Sequence, residues 1–543
     1  QNGLVCLAVS GDKSNVSEAR LNDLGEEESS LKIEDLLRKL GLEGKYEQTL
    51  SRTHFLDLSP SLKEESNKEK DLVNIFMQRL LTTDYKARHL SVKSEPRITK
   101  SQQAAGKAGF DALFEKKDLS TDKKQSQSHP MDVQMAVFLC SDPFLQQIIV
   151  TKLSQCQYAV PLLVPNPFTG NIEFPLWTIR QISKTWRTTD TSGRVTSKTL
   201  PMYKAETPMV VFFRIGSISS SKSQLMNRLI NEKHDTFFHR YCPGSSRERL
   251  LMDGVVEIAW YLPSGKGSDH FSDCVAFCNL HGDSSIKETQ TKILTEMSSV
   301  NVVLLHKLDR NDKNMVIVKE LCEVSTPLIV ILTEEEDEGE DDVYEIGDRK
   351  YRVSLKGRNQ SDVSVVLKLI KNCLSEQPVT FSLEKIAEHS EIQVDENNKD
   401  CQRGKEAAQE IMRFLKGEDP PTVKEKDLPC QGKLWHEWSQ KNKDLHCLKS
   451  NNIEIEERRK QGEMREIRRK QQNHGFTELI VSFKPECICT AQNNNLLHQL
   501  LLLFAPTCFH NRKRTYIYYK WINLFLSYHF LIIVLSWHLV IRL

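Results

Sequence analysis

The stretch "RIGSISSSKS", residues 214–223, has residue types and spacing suited to holding a phosphate. It fits G-x-x-x-x-G-K-[ST] at Gly216, Lys222 and Ser223, with Ser217, Ile218, Ser219 and Ser220 between them. Ser221 stands where the second glycine belongs. A phosphate loop needs inward-facing backbone N–H groups, a lysine to neutralise charge and a hydroxyl to meet Mg2+. It must also lead from a strand into a helix whose N-terminus favours an anion. Here "MVVFF" precedes the loop and "KSQLMNRLI" follows it, with Leu225, Met226 and Leu229 on one face. Glycine at position 221 would reach backbone angles that other residues adopt only at a cost. A serine-rich turn that happens to contain a lysine is the competing reading.

Three further segments can be tested as parts of a guanine-nucleotide domain. "NLHG" (279–282) takes the place of the γ-phosphate sensor D-x-x-G. Gly282 can offer its N–H, but Asn279 replaces the aspartate that orients Mg2+ through water. A base-reading [NT]-K-x-D is missing after "PLIVIL", where Thr333 opens "TEEED"; "HKLD" (306–309) follows an earlier strand and reads as a decoy. "SLKG" (354–357) places Ser354 and Lys356 where a final base-contacting loop belongs. Thr236 is the candidate switch threonine for Mg2+, with a plain loop threonine the preferred reading, and Arg247 and Arg249 are candidate phosphate contacts that surface salt bridges would explain equally well. No glutamine is placed to position an attacking water, so hydrolysis is expected to be slow or absent.

The elements that would position these residues alternate. Apolar runs at 209–215, 254–262, 273–280, 300–308, 326–332 and 351–355 read as strands. Helical patterns fall at 223–231, 285–297, 313–323 and 361–374, which predicts an α/β domain with a mostly parallel sheet. The short polar link "PSGKGSDHFS" predicts an antiparallel hairpin between the second and third strands.

The flanks differ in character. Residues 1–92 read as short amphipathic helices, with Ile33, Leu36, Leu37, Leu40 and Leu42 near one face. Residues 93–128 read as a polar linker, 129–204 as a helical segment that includes "EFPLWTIRQISKTWR", and 205–375 as the nucleotide-type domain. The acidic run 334–342 reads as a solvated loop, 376–482 as a charged helical extension and 483–543 as an apolar tail. Trp521 to Ile541 has no Asp, Glu, Lys or Arg and is long enough to span a bilayer. Translation past a splice boundary is the reading preferred for this tail, so a membrane association is expected only if the tail is a genuine segment.

Composition narrows the class. A net charge of +1 with 27% charged residues argues against a general nucleic-acid binder. The 14 cysteines lack regular spacing and no signal peptide is visible, which favours reduced thiols in a cytosolic or nuclear setting. Cys274, Cys278 and His281 lack a fourth ligand, and both cysteines fall in a strand pattern, so no metal is expected there. A chain that opens on Gln1 reads as a fragment.

The stretch from "SKSQLMNRLINEKHDTFFHRYCPGSSRERLLMDGVVEIAWYLPSG" to "CVAFCNLHGD" resembles the interferon-inducible very large GTPase family, which includes the up-regulator of cell proliferation. "HPMDVQMAVFLCSDPFLQQIIVTKLSQCQYAVPLLVPNP" and "LPCQGKLWHEWSQKNKDL" extend the resemblance to roughly residues 30–482. It implies a P-loop GTPase-like fold with helical flanks, and a GTP-binding protein of the cytosol and nucleus that uses Mg2+. It also implies that Ser before Lys222 and "NLHGD" are family traits. Gly216, Ser221, Lys222 and Ser223 would hold the phosphates and Mg2+, Asn279 and Gly282 would sit near the γ-phosphate, and Ser354 and Lys356 near the base. Family members are longer, so a truncated or pseudogene-derived member is expected. A nucleotide-free scaffold for self-association or protein partners is the alternative function.

Overall fold

The computed structural model describes residues 28–55, 68–92, 128–189, 193–218, 221–246, 248–306, 314–333, 342–354, 360–375, 378–415, 417, 419–427, 432–447 and 452–473. The chain divides into two compact units, 1–395 and 396–543. The sequence readings for 93–127, 334–340 and 483–543, including the apolar run 521–541, lie outside the described residues. Among those described, no helix is long and apolar enough to cross a membrane.

The first unit opens with helix α1 (28–39) and helix α2 (Asp71–Leu81). Ile33, Leu36, Leu37, Leu40 and Leu42 are all buried, so the predicted face is the packed one. Gly41, with φ +70°, ends α1 in the left-handed conformation that glycine adopts most cheaply. Helices α3 (Pro130–Leu139) and α4 (Pro143–Gln155) follow. Each carries proline in its first turn, and the His129 and Asp142 side chains cap them by accepting from the amides of Met131 and Leu145.

After α4 the helical expectation for 129–204 fails. Strands β1 (Val160–Pro165) and β2 (Ile172–Phe174) come first, then a single turn α5 (Leu176–Ile179). Strands β3 (Ser183–Thr189) and β4 (Val195–Pro201) form a separate antiparallel ribbon. Pro175 starts a helix, but the threonines beyond it are β-branched and pair across the ribbon. Thr185 meets Thr199 and Thr188 meets Thr196 at 2.9 and 3.0 Å between hydroxyls. Trp186, read as a helix packing residue, is buried from β3 and donates to Asp273 at 2.6 Å.

The predicted alternation then appears: β5 (Met209–Arg214), α6 (Lys222–Ile230), β6 (Val256–Tyr261), β7 (Val275–Leu280), α7 (Glu288–Glu296), β8 (Val300–Leu305), α8 (Asn314–Glu323) and β9 (Leu328–Leu332). The hairpin β10 (Asp342–Gly347) and β11 (Lys350–Ser354), helices α9 (Gln360–Leu374) and α10 (Leu383–Ile386) and strand β12 (Gln393–Val394) complete the unit. The ten-stranded sheet runs β10-β11-β9-β8-β5-β7-β6-β1-β2-β12. Strands β7, β5, β8, β9 and β11 are mutually parallel, and β6 pairs antiparallel with β7 as the short link predicted. The central strands are buried on both faces, which is why they read as unbroken apolar runs. Phe212, Phe277, Val302, Ile329 and Met226 lie at the centre of the core.

Helices α11 (Lys399–Leu415), α12 (Pro420–Asp427), α13 (Lys433–Leu445) and α14 (Ile453–Asn473) form the second unit. The α13–α14 pair is held by Lys441 against Glu463 at 2.5 Å and by the Arg468 guanidinium 4.3 Å above the Trp438 ring.

Candidate functional site

The parallel strands end along one edge of the sheet. Strand β5 leads to neighbours on one side and β8 to neighbours on the other, so the loops after them part. Ligands of open α/β sheets bind in the crevice at such a point. The loops after β5, β7, β8, β9 and β11 carry residues 216–223, 279–282, 306, 333 and 354. The described parts of the phosphate loop, of 279–282 and of the final loop, namely 216–218, 221–223, 279–282 and Ser354, therefore lie along this edge. Lys356, Ser219, Ser220 and Arg247 are outside the described residues.

Gly216 has φ +68°, the left-handed region, so the first glycine of the motif meets a real backbone demand. Ser221 does not: at φ −96° and ψ 105° it is extended, and any residue adopts that conformation. The expected cost of serine there is absent. Ser221 instead caps α6, its hydroxyl accepting the Gln224 amide at 3.4 Å. Ile218 packs against the core, and Ser217 lies in the loop beside it.

Lys222 is buried and folds back over the strand ends. Its ammonium donates to the carbonyl oxygens of Phe212, at 3.2 Å, and Leu280. Burial pushes it well below the usual lysine range, and the positive charges of Arg214 and Arg249 add to the effect. Arg214 Nε is buried without a hydrogen-bond partner. Burial, and then Arg214, also lower Arg249, which Asp132 and Asp253 partly offset. Arg214 and Arg249 thus both bear on Lys222 at the head of α6.

Ser223 Oγ lies 3.3 Å from the carboxamide of Asn279, and the far end of that carboxamide is buried with no partner. Asn279 also touches His281 Nε2 at 3.2 Å, and His281 Nε2 lies 2.8 Å from Glu257. Glu257 accepts from Arg88 at 2.9 Å. Burial alone would raise the Glu257 carboxyl, yet Arg88 and His281 hold it below its ordinary value. Gly282 has φ +92°, and a Cβ there would lie 2.2 Å from Asp253 Oδ1.

Thr236 is not brought to Ser223. It lies beyond the C-terminal end of α6 and lines a cavity of about 350 Å³ with Tyr158, Lys184, Asn231 and Trp260. Its carbonyl accepts the Ala159 amide and Arg88. Ser354 ends β11 in register with Leu332 of β9. His306 ties the ends of β8 and β9, its Nδ1 lying 2.9 Å from the Thr333 carbonyl. Cys274 and Cys278 are buried thiols, the first pushed up by burial to about 12.

Three contributors escaped the sequence reading, Asp283, Arg88 and Glu257, and His281 was read only beside Cys274 and Cys278. Glu257 did leave a signal, as the single charge inside the apolar run "GVVEIAWYL". A buried carboxylate must find a cation.

The up-regulator of cell proliferation-like domain matches residues 128–412. Interferon-induced very large GTPase 1 of Homo sapiens is 36% identical over 516 residues, covering 91% of this chain and 20% of that protein. The Mus musculus protein of the same name is 37% identical, covering 81% of this chain and 19% of its own length. Up-regulator of cell proliferation of Bos taurus is 29% identical, covering 79% of this chain and 49% of its own. The chain thus spans about a fifth of the first two relatives and about half of the third.

Proposed function

The chain belongs to the family of the interferon-induced very large GTPases and the up-regulator of cell proliferation, and from that premise we propose that it binds a guanine nucleotide through a P-loop at residues 216–223. Lys222 and the α6 N-terminus take the phosphates, Ser223 meets Mg2+, and hydrolysis is slow or absent. The observation that carries this reading is the passage of strand β5 through a left-handed Gly216 into α6, with a buried Lys222 and Ser223 at the head of the helix. A buried lysine is costly to keep charged unless an anion joins it.

The residues fit Mg2+. Ser223 supplies a hydroxyl whose lone pairs can meet the ion, and Asn279, 3.3 Å from it, has a buried end with unused bonding capacity toward the bound nucleotide. The ion would neutralise phosphate charge. Asn279 and the carboxylate of Asp283, which is engaged with Gly216 at 3.0 Å, support slow chemistry, since neither is free to act as a base on water. Guanine preference follows from the relatives' names, with Ser354 and Lys356 near the base.

Titration of the full chain with fluorescent GTP, GDP and ATP in Mg2+, beside Lys222→Ala, tests this. Saturable binding with GTP and GDP preferred is expected. Loss of the charged contact should weaken it roughly ten- to a hundredfold, since a hydrogen bond to a charged group is worth ~1.5–3 kcal/mol. A folded wild-type chain that binds no nucleotide would instead favour a nucleotide-free scaffold.

A further inference from the structure

One carboxamide atom of Asn279 faces two neighbours, Ser223 Oγ at 3.3 Å and His281 Nε2 at 3.2 Å. Oxygen and nitrogen of a carboxamide are told apart by what surrounds them, and here the surroundings decide. Arg88 has only donors. Its guanidinium lies 2.9 Å from Glu257, and both side chains are buried, so Glu257 is held as a carboxylate that only accepts. His281 Nε2, 2.8 Å from Glu257, must therefore carry the ring proton. A nitrogen whose N–H faces a carboxylate cannot also accept from a carboxamide NH2. The oxygen of Asn279 satisfies both neighbours, because it can receive the edge of the imidazole N–H and the Ser223 hydroxyl.

We propose that Arg88, Glu257 and His281 form a buried relay that fixes Asn279 with its oxygen toward Ser223, so that the Ser223 hydroxyl donates inward and leaves its lone pairs for a divalent cation. Each bond in the chain sets the direction of the next, from guanidinium to carboxylate to imidazole to carboxamide. The Asn279 NH2 then takes the buried position that has no partner, where it is a donor for the terminal phosphate of a nucleoside triphosphate. Asn279 is thus an exchange of role, giving one acceptor to the serine and one donor to the ligand. Arg88, Glu257 and His281 are positioning residues acting through it. The cation and phosphate parts of this inference rest on the nucleotide reading above; the direction of the relay does not.

Two measurements on the full chain separate these parts. Nitrogen NMR of ring-labelled histidine, without nucleotide, should find His281 neutral with its proton on Nε2. A proton on Nδ1 alone would overturn the relay, whatever nucleotide does. Fluorescent GTP titrated in Mg2+ and in EDTA gives the advantage conferred by the cation. His281→Leu should cut that advantage roughly tenfold, as loss of outer-shell partners does at other metal sites. His281→Gln, which keeps a donor, should retain it. A folded His281→Leu chain with the wild-type advantage would refute the cation role. A wild-type chain that binds no GTP would sink the nucleotide reading, and the NMR result would still decide the relay.

Discussion

Asp283 Oδ2 accepts the backbone N–H of Gly216 at 3.0 Å, so the loop after β7 is clasped to the loop after β5. The other oxygen of Asp283 takes the amide and hydroxyl of Ser285 at 3.0 and 2.7 Å. Ser284 bonds the Arg214 carbonyl through both its amide and its hydroxyl. A carboxylate that holds the base of the proposed phosphate loop links that loop to the segment proposed to sense the γ-phosphate.

Asp283→Ala should loosen both loops together. A net hydrogen bond of ~1 kcal/mol corresponds to roughly fivefold faster nucleotide exchange. Stopped-flow displacement of a fluorescent guanine nucleotide measures it, and an unchanged rate would show that the clasp does not restrain exchange.

The two motif positions should answer differently to substitution. Gly216→Ala forces a side chain into left-handed backbone at a cost of about 1–2 kcal/mol and should weaken nucleotide binding. Ser221→Gly restores the common motif yet should gain nothing, because position 221 is already extended. Ser221→Ala should cost ~1 kcal/mol of stability through the lost cap. Thermal unfolding and GTP titration of the three variants check this, and tighter binding by Ser221→Gly would contradict it.

Arg88→Met alone should destabilise the chain by roughly 3–5 kcal/mol, because it strands Glu257 as a buried charge. Arg88→Met with Glu257→Gln should recover much of that loss. Denaturant unfolding of the single and double variants gives the coupling, and simple additivity would mean that the pair is not coupled.

Burial holds the His129 imidazole down at about 3, with Arg249 and His281 adding to the effect. Below its ordinary value near ~6.5 the unfolded chain takes up a proton that the folded chain refuses, so stability falls as pH drops through that point toward 3. The loss should reach at most about 2 kcal/mol between pH 6.5 and 5. His129→Asn keeps an α3 cap without titrating there, and the wild-type chain should lose more stability than this variant over that range. Parallel melting curves against pH would refute the assignment.

Much of the sheet was legible because each central strand is buried on both faces and announces itself as an apolar run. The ribbon β3–β4 was not, since Pro175 and Trp177 imitate a helix start and only the partner strand reveals the threonine pairing. Strand β10 was missed because its sequence, "DVYEIG", follows an acidic run and pairs on one side only. In the site, Lys222, Ser223 and Asn279 could be read from local spacing. Arg88 could not, because its partners Gln134, Ala159, Thr236 and Glu257 are distant in sequence and meet it only in the fold. Thr236 shows the limit of spacing alone: a suitable residue type whose position beyond the C-terminal end of α6 agrees with the plain loop reading.

The placement of Arg88 separates two kinds of boundary. The family-model match starts at residue 128, while the guanidinium that neutralises Glu257 is supplied from upstream of it, within the longer stretch that resembles the very large GTPases. A protein cut at 128 would keep all that the family model matches and still lack a piece of its own interior. What the family model marks as a domain and what folds as a unit are, at this end of the chain, different lengths of polypeptide.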